Sequence, residues 1–370
     1  MYRVELKKIL IIGPTYIYGG VGNLMFGLIK YMDKERLHFD FLDYQAATDE
    51  EKDKIHEMGG EFFHCPRYSR HPFKFLKYIF NFYKNHKYDV VHCNNSTAML
   101  FMYTLPLWFN KVTKIISHSH SSIVSGKRDK IVHSILRFII LRRANRFIAC
   151  SEIAAEHMFG SKNSEASNYL LLKNGISPEK FAYNEATRLK MRESLGLENK
   201  YVIGHVGRFS REKNHSFMLD VFRLIADESP DAVLLFVGAG GHEDEARGHV
   251  KRLGLHDRVI FYGATPNVHE LLQAMDVFFF PSLFEGLPIA PIEAQAAGLP
   301  VVASAEISKG VVITADFYFM DLYNDTKEAW AERLCSFRGF ERKDTSAEIR
   351  EAGYDLAESA RVLEGVYLGL

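Results

Sequence analysis

The sequence predicts two parallel-sheet α/β domains in tandem. Short apolar runs alternate with stretches of helical spacing from end to end, which is the pattern of a parallel sheet covered on both faces. The alternation breaks around Asn174-Gly175 and Pro178 and then restarts at Tyr201. The chain has 370 residues, room for two domains of roughly 180 each.

The elements follow in order. Lys7 to Gly13 is an apolar run closed by Gly-Pro, and Gly20 to Tyr31 has helical spacing with Leu24, Leu28 and Tyr31 on one side. Phe39–Leu42, Glu61–His64, Asp89–His92, Lys114–Ser117 and Arg146–Ala149 read as further strands. Helical stretches lie around 48–58, 73–86, 95–104, 128–143 and 151–159. After the break comes a polar helix, Thr187 to Leu195, then strands at Tyr201–Val206, Ala232–Val237, Arg258–Tyr262, Val277–Phe280 and Pro300–Ala303. The end of the chain, from Ser346, reads as one or two helices with Ile349, Leu356, Leu363 and Tyr367 apolar.

Hydrophobic residues make up 47% and charged residues 25%, which excludes a disordered chain and a collagen-like repeat. The four cysteines lie far apart and form no CxxC pair, so a structural zinc and thioredoxin-type chemistry are not expected and a reducing cytoplasm suits the chain. The first residues carry no apolar h-region or cleavage site, and the longest apolar run, Thr97 to Phe109, is too short to span a bilayer. A net charge of zero hides an asymmetry. Residues 1–180 hold 26 Lys and Arg against 17 Asp and Glu, and the rest hold 20 against 29. The basic half points to an anionic partner. No nucleic-acid motif accompanies it, so nucleic acid is not the expected partner.

Three segments carry chemistry. Gly19-Gly20-Val21-Gly22 follows the first strand and opens a helix, where a phosphate can approach backbone N–H groups. Gly207-Arg208 follows the strand Tyr201–Val206, with Lys213 five residues on. Two cations at a strand's carboxyl edge suit a pyrophosphate, Arg as a fork and Lys as a point charge. The third is Phe284-Glu285-Gly286-Leu287-Pro288-Ile289-Ala290-Pro291-Ile292-Glu293. Glu285 sits on a loop, and Glu293 is expected about two turns into a helix started by Pro288 or Pro291. Amides 286–290 are expected to be unclaimed beside two carboxylates able to grip sugar or ribose hydroxyls.

The Glu-x7-Glu segment and the Ala294-to-Ala303 run after it resemble family 4 retaining glycosyltransferases of the GT-B fold. Asp89-Val90-Val91-His92, Cys150-Ser151, Asn174-Gly175-Ile176, Gly207-Arg208 with Lys213, and Val237-Gly238-Ala239-Gly240 agree with it in order along the whole chain. The likeness is strongest to bacterial enzymes that assemble capsule, exopolysaccharide or O-antigen. It implies an α/β GT-B architecture of two Rossmann-like domains facing a cleft. Residues 1–185 would bind the acceptor, 186–350 would bind the nucleotide sugar, and helix 351–370 would pack back on the first domain. It also implies transfer of a sugar, by default from a UDP-sugar, to a saccharide or lipid-linked saccharide.

The resemblance assigns residues as follows. Glu293 would bind the ribose hydroxyls, and Glu285 would lie at the donor sugar. Gly286, Leu287 and Pro288 belong to the loop whose amides would contact sugar and phosphate. Arg208 and Lys213 would neutralise the diphosphate. Gly19 and Gly20 would close the phosphate site, and Gly263 and Thr265 belong to the loop at the base. Ser117-His118-Ser119-His120-Ser121 ends a strand where the family has a histidine near the anomeric carbon, with His120 preferred over His118. His92 reads as a packed strand residue. No Asp-x-Asp pair is present, in keeping with a metal-independent reaction that needs no cofactor. A sugar-nucleotide 2-epimerase of the same fold and a non-catalytic nucleotide-sugar-binding subunit are the rival readings.

Pro66–Phe147 holds 15 basic and 2 acidic residues. Lys127–Arg146 and Pro66–Lys87 interleave Lys and Arg with aliphatic and aromatic side chains, as an interfacial helix does on an anionic leaflet. The expected location is cytoplasmic, peripheral on the inner face of the cytoplasmic membrane.

Overall fold

The structure, a computed structural model, describes residues 6–13, 20–95, 98–109, 113–120, 127–160 and 166–369. It divides into two compact units. One comprises Met1–Gly175 with Leu356–Leu370, the other Ile176–Asp355.

The first unit holds strands β1 (Lys7–Ile12), β2 (Leu37–Asp43), β3 (Phe62–His64), β4 (Val90–Asn95), β5 (Lys114–Ser119), β6 (Arg146–Ala149) and β7 (Tyr169–Leu171). They form one parallel sheet in the order β3-β2-β1-β4-β5-β6-β7. Successive side chains point to opposite faces. Ile9 and Ile11 therefore enter one core layer, and Leu10 and Ile12 the other.

The second unit holds β8 (Tyr201–Val206), β9 (Ala232–Val237), β10 (Val259–Gly263), β11 (Val277–Phe280), β12 (Val301–Ser304) and β13 (Phe317–Met320). They form a parallel sheet in the order β10-β9-β8-β11-β12-β13. Val202, Phe278 and Phe280 face one layer; Ile203, Val277 and Phe279 face the other. In both sheets the strand order reverses beside the first strand, the point where parallel sheets open toward ligands at their carboxyl ends.

The unit boundary lies at 175/176 rather than 185/186. Ile176 pairs with Asp355 across a parallel bridge, and Ile176 and Phe181 both enter the second unit's core. Residues 351–355 stay with that unit too, since Tyr354 is buried there. The helix Leu356–Gly369 sends Ala360, Leu363 and Tyr367 into the first unit's core, and Lys7 Nζ donates to the Tyr367 and Leu368 carbonyls near its end. β7 and β13, edge strands of three and four residues, have no separate counterpart in the sequence reading. The helix expected at 95–104 is a 3-10 segment, Ala98–Phe109, containing Pro106.

Candidate functional site

In the second unit the loops after β8, β9 and β10 meet through backbone. Gly238 has φ +143°, and a Cβ built on it would lie 2.0 Å from the Gly207 carbonyl oxygen, so only glycine permits this approach. Its N–H donates to Gly263 O at 2.9 Å. A Cβ on Gly207 would lie 2.7 Å from His205 Nε2.

Beside this junction sit the cations. Arg208 is 73% exposed at its side chain and pairs with Glu212 at 3.2 Å. Lys213 ends a 3-10 turn, Arg211–Lys213, just ahead of the helix His215–Glu228. Its side chain is only 15% exposed; Nζ lies 4.5 Å over the Phe280 ring and 2.6 Å from Glu285 Oε1. The last is a meeting of charges whose angles do not make a directed hydrogen bond. Two segments singled out separately, 72 residues apart, are thus joined by one ion pair. The Leu283 N–H donating to Glu212 O at 2.8 Å ties the same two loops together.

Glu293 lies in the first turn of the helix Ala290–Ala296, one turn in and not two, because Pro291 rather than Pro288 takes the opening positions. The residue is half-buried, and the protein packed round its carboxyl pushes the pKa up to about 7, against the pull of Lys180. Among the described residues, no acceptor is found for the backbone N–H groups of Gly286, Leu287, Ile289 and Ala290. Pro288 between them has none to offer. Gly263 has φ +90° at the end of β10, and Thr265 follows with its hydroxyl accepting from the Asn267 N–H.

Two buried histidines support this strand end, and the sequence reading did not single them out. His205 Nδ1 lies 2.9 Å from Phe279 O, so that nitrogen carries the proton and donates, leaving Nε2 bare and buried under Gly207. His215 stacks on Phe209 at 4.2 Å with both nitrogens unpartnered. Burial, and Lys213 close by, hold both rings well below the usual histidine range, so they stay neutral. The signal was present in the His-Val-Gly-Arg run, but burial of the ring depends on Phe279 and Phe280 across the sheet.

The first unit offers a different arrangement. His118 and His120 point the same way from the end of β5, with ring centroids 3.9 Å apart. His118 is fully buried, with Nδ1 3.1 Å from His92 Nε2; His92 Nδ1 in turn lies 2.6 Å from the Tyr367 hydroxyl. His92 is therefore packed, as expected, but also hydrogen-bonded at both nitrogens. Burial pushes His92 and His120 down to about 3 and lowers His118 well below its ordinary value. A neutral His92 that accepts from Tyr367 carries its proton on Nε2 and donates to His118. His120 Nε2 donates to Asn94 Oδ1 at 2.9 Å, which leaves Nδ1 as a buried acceptor without a partner. Gly20 opens the helix Gly20–Lys30 with open space around its Cα, while Gly19 lies outside the described residues. Among the described residues, no group of three or more His, Cys, Asp or Glu side chains could hold a metal ion.

Residues 187–343 match the family model described as glycosyl transferases group 1, and residues 18–180 match glycosyltransferase family 4. The chain is 30% identical to the putative glycosyltransferase EpsF of Bacillus subtilis, covering 98% of this chain and 96% of that one. It is 28% identical to an Escherichia coli UDP-Gal:alpha-D-GlcNAc-diphosphoundecaprenol alpha-1,3-galactosyltransferase over 62% of this chain and 61% of that one. Its fold resembles that of Anabaena HepE, solved in complex with UDP and glucose, with a TM-score of 0.78 at 19% identity, covering 98% of this chain and 100% of that one. The paired α/β sheets are the GT-B fold, and the chain belongs to glycosyltransferase family 4.

Proposed function

We propose that this glycosyltransferase moves a sugar, with retention at the anomeric carbon, from a UDP-sugar to a saccharide or lipid-linked saccharide in cell-surface polysaccharide synthesis. The observation that carries the reading is the Lys213–Glu285 ion pair beside the unclaimed amides of 286–290. The donor's diphosphate takes Lys213 from Glu285, and Glu285 then accepts from hydroxyls of the donor sugar. Arg208 supplies the second cation, and the loop amides take phosphate and sugar oxygens. Glu293 accepts from the ribose. As the glycosidic bond breaks, charge collects on the diphosphate, and fixed cations aimed there lower the barrier without a bound metal. His120, with its bare Nδ1, is the residue this reading assigns to the reaction at the anomeric carbon, with His118 second. The galactosyltransferase relative, named for UDP-Gal and a diphosphoundecaprenol-linked sugar, supports both the UDP donor and a lipid-linked acceptor.

A peripheral position on the inner face of the cytoplasmic membrane is part of the same reading. On the helix Pro72–Asn85, Phe73 is 85% exposed, with Leu76, Lys77, Phe80 and Lys84 also exposed along the outer side. On Lys127–Arg143, Ile135 and Phe138 are exposed and Arg142 lies 3.8 Å over the Phe138 ring. The side chains of residues 127–132 lie outside the described set. No helix among the described residues is long and apolar enough to cross a membrane. Apolar rings among lysines suit the headgroup boundary of an anionic leaflet.

The donor is tested by thermal shift of the purified chain against UDP-, GDP- and ADP-sugars; stabilisation by a UDP-sugar alone is expected, and none by any would remove the donor reading. Incubation with donor and no acceptor should leave the sugar unepimerised. Co-sedimentation with vesicles should require anionic lipid, weaken with salt and drop in the Arg142→Glu, Arg143→Glu variant. No sedimentation with anionic vesicles removes the membrane docking.

A further inference from the structure

The second unit has a cavity of about 590 Å³ at the amino ends of its strands. Tyr201 opens β8, and Asp231 and Asp276 immediately precede β9 and β11, and all three line it. A six-residue strand is about 20 Å long, so β8 separates this cavity from the donor-side loops that begin at Gly207. It is a separate cavity within the unit.

Its walls carry Arg188, Arg192, Arg338 and Arg342. Three of these have carboxylate partners. Arg188 and Arg192 share Asp276, with contacts of 2.5 and 3.2 Å, and also donate to the carbonyls of Gln273, Met275 and Ala274. Arg338 forks onto Asp231 at 2.7 and 3.0 Å. Among the described residues, Arg342 has no carboxylate within ion-pair distance, Asp276 acting on it only from further off. Its guanidinium stacks at 5.1 Å on Tyr183 and reaches the Ala297 carbonyl at 3.5 Å, while Nη2 is buried without a partner. Glu341 lines the cavity next to it but makes no ion pair with it.

Arg342, charged at neutral pH, is half-buried beside two more arginines, with its Nη2 donor buried and unmet. Burial, with Arg188 and Arg192 close by, pulls its pKa down to about 9 although Asp276 and Tyr183 oppose the shift, so the surroundings compensate the charge only in part. A doubly charged oxyanion would supply that compensation, since a guanidinium fork matches phosphate oxygens in geometry and charge. The cavity also has the size of an ordinary small-ligand site.

We propose that this cavity is a second ligand site that binds a phosphate dianion, free or as the phosphate of a small monoester, with Arg342 as its principal contact. The wild-type chain is titrated with inorganic phosphate and followed by thermal shift and calorimetry, against chloride at equal ionic strength. The expected result is stabilisation by phosphate beyond chloride, with affinity at least tenfold weaker in Arg342→Gln and unchanged in Lys213→Gln. Loss of the phosphate effect in Lys213→Gln but not in Arg342→Gln would place the anion at the donor loops and overturn the proposal. So would equal stabilisation by phosphate and chloride. If Arg342→Gln does not fold, wild-type crystals soaked in tungstate decide: anomalous density within hydrogen-bonding distance of Arg342 Nη2 supports the site, and density confined elsewhere overturns it. Adding glucose 6-phosphate and ribose 5-phosphate to the titration separates the sources. Tighter binding of either than of inorganic phosphate, still lost in Arg342→Gln, identifies the monoester; tighter binding of inorganic phosphate identifies the free anion.

Discussion

The two units handle charge in opposite ways at the ends of their sheets. In the second, the strand-end residues are full charges held in pairs: Lys213 with Glu285, Arg208 with Glu212. In the first, three histidines stand together, with no carboxylate hydrogen-bonded to them among the described residues, kept neutral by burial and linked to a tyrosine and an asparagine. The difference matches what each half is proposed to meet. A diphosphate brings its own negative charge, so its cations need an internal counter-ion that can yield. An acceptor hydroxyl brings none, and there a neutral ring with a bare nitrogen gives a directed hydrogen bond without a desolvated charge.

The sharpest way to break the comparison is to remove one cation. Lys213→Gln should lower kcat/KM by about 10²–10³, the usual effect of losing one group that stabilises charge in the transition state. Arg208→Ala should cost about tenfold, since the arginine is exposed and its partner Glu212 can turn to water. Steady-state kinetics with melting curves for both variants checks this. Equal losses would mean that burial of Lys213 confers nothing.

The neutral chain is tested through stability as well as turnover. Tyr367→Phe leaves His92 Nδ1 buried without its partner and should cost about 1–3 kcal/mol in chemical denaturation. His120→Ala should instead reduce turnover at least tenfold with a smaller stability loss; if His118→Ala is the crippling change, the roles within the pair are reversed. The buried rings also set an acid limit. Their folded-state pKa values lie below the ordinary 6.5, to about 3 for His92 and His120. The unfolded chain therefore binds more protons between about pH 3 and 6.5, so stability rises with pH across that window and is lost as pH falls. Denaturation midpoints from pH 7 to 4 should fall, and less steeply in His120→Ala.

Much of the second unit's candidate site was legible because its signals are local. Gly207-Arg208, Lys213 and Glu285 to Glu293 are short spacings set by one strand-loop-helix passage each. The Lys213–Glu285 pair was not readable, since it depends on how the loops after β8 and β11 meet. In the first unit the His118–His120 pair was legible from strand periodicity, but its supports were not. Tyr367 lies 275 residues from His92 and reaches it only because the last helix returns to the first core. The edge strands β7 and β13 are too short for a pattern to register, and the unit boundary depends on the Ile176–Asp355 bridge, which no local composition signals.

The smallest expected effect concerns Glu293, proposed to meet the ribose and without an ion pair among the described residues. Its carboxyl titrates near 7 because burial disfavours the charge more than Lys180 restores it. At pH 6 about a tenth is ionised and at pH 8 about nine-tenths, so a site that needs the carboxylate to accept ribose hydroxyls should bind UDP up to about tenfold more tightly at the higher pH. The nucleotide's terminal phosphate also ionises near pH 6 and strengthens binding in the same direction. The measurement is therefore a ratio: UDP affinity by calorimetry at pH 6 and 8, for the wild type and for Glu293→Gln, which cannot titrate. Wild type should show the larger rise, with the excess attributable to this carboxyl. A parallel rise in both would mean that Glu293 meets the ribose in its protonated form, or not at all. Glu293's own contribution to stability should move the other way, falling as pH rises from about 4.5 to 7, because there the folded chain holds a proton on Glu293 that the unfolded chain has released; it offsets part of the histidine-driven rise, so stability should climb more steeply with pH in Glu293→Gln than in the wild type. A steeper stability rise and a shallower rise in nucleotide affinity with pH, both produced by Glu293→Gln, would fix that acid as a group held protonated in the free protein and ionised when the nucleotide binds.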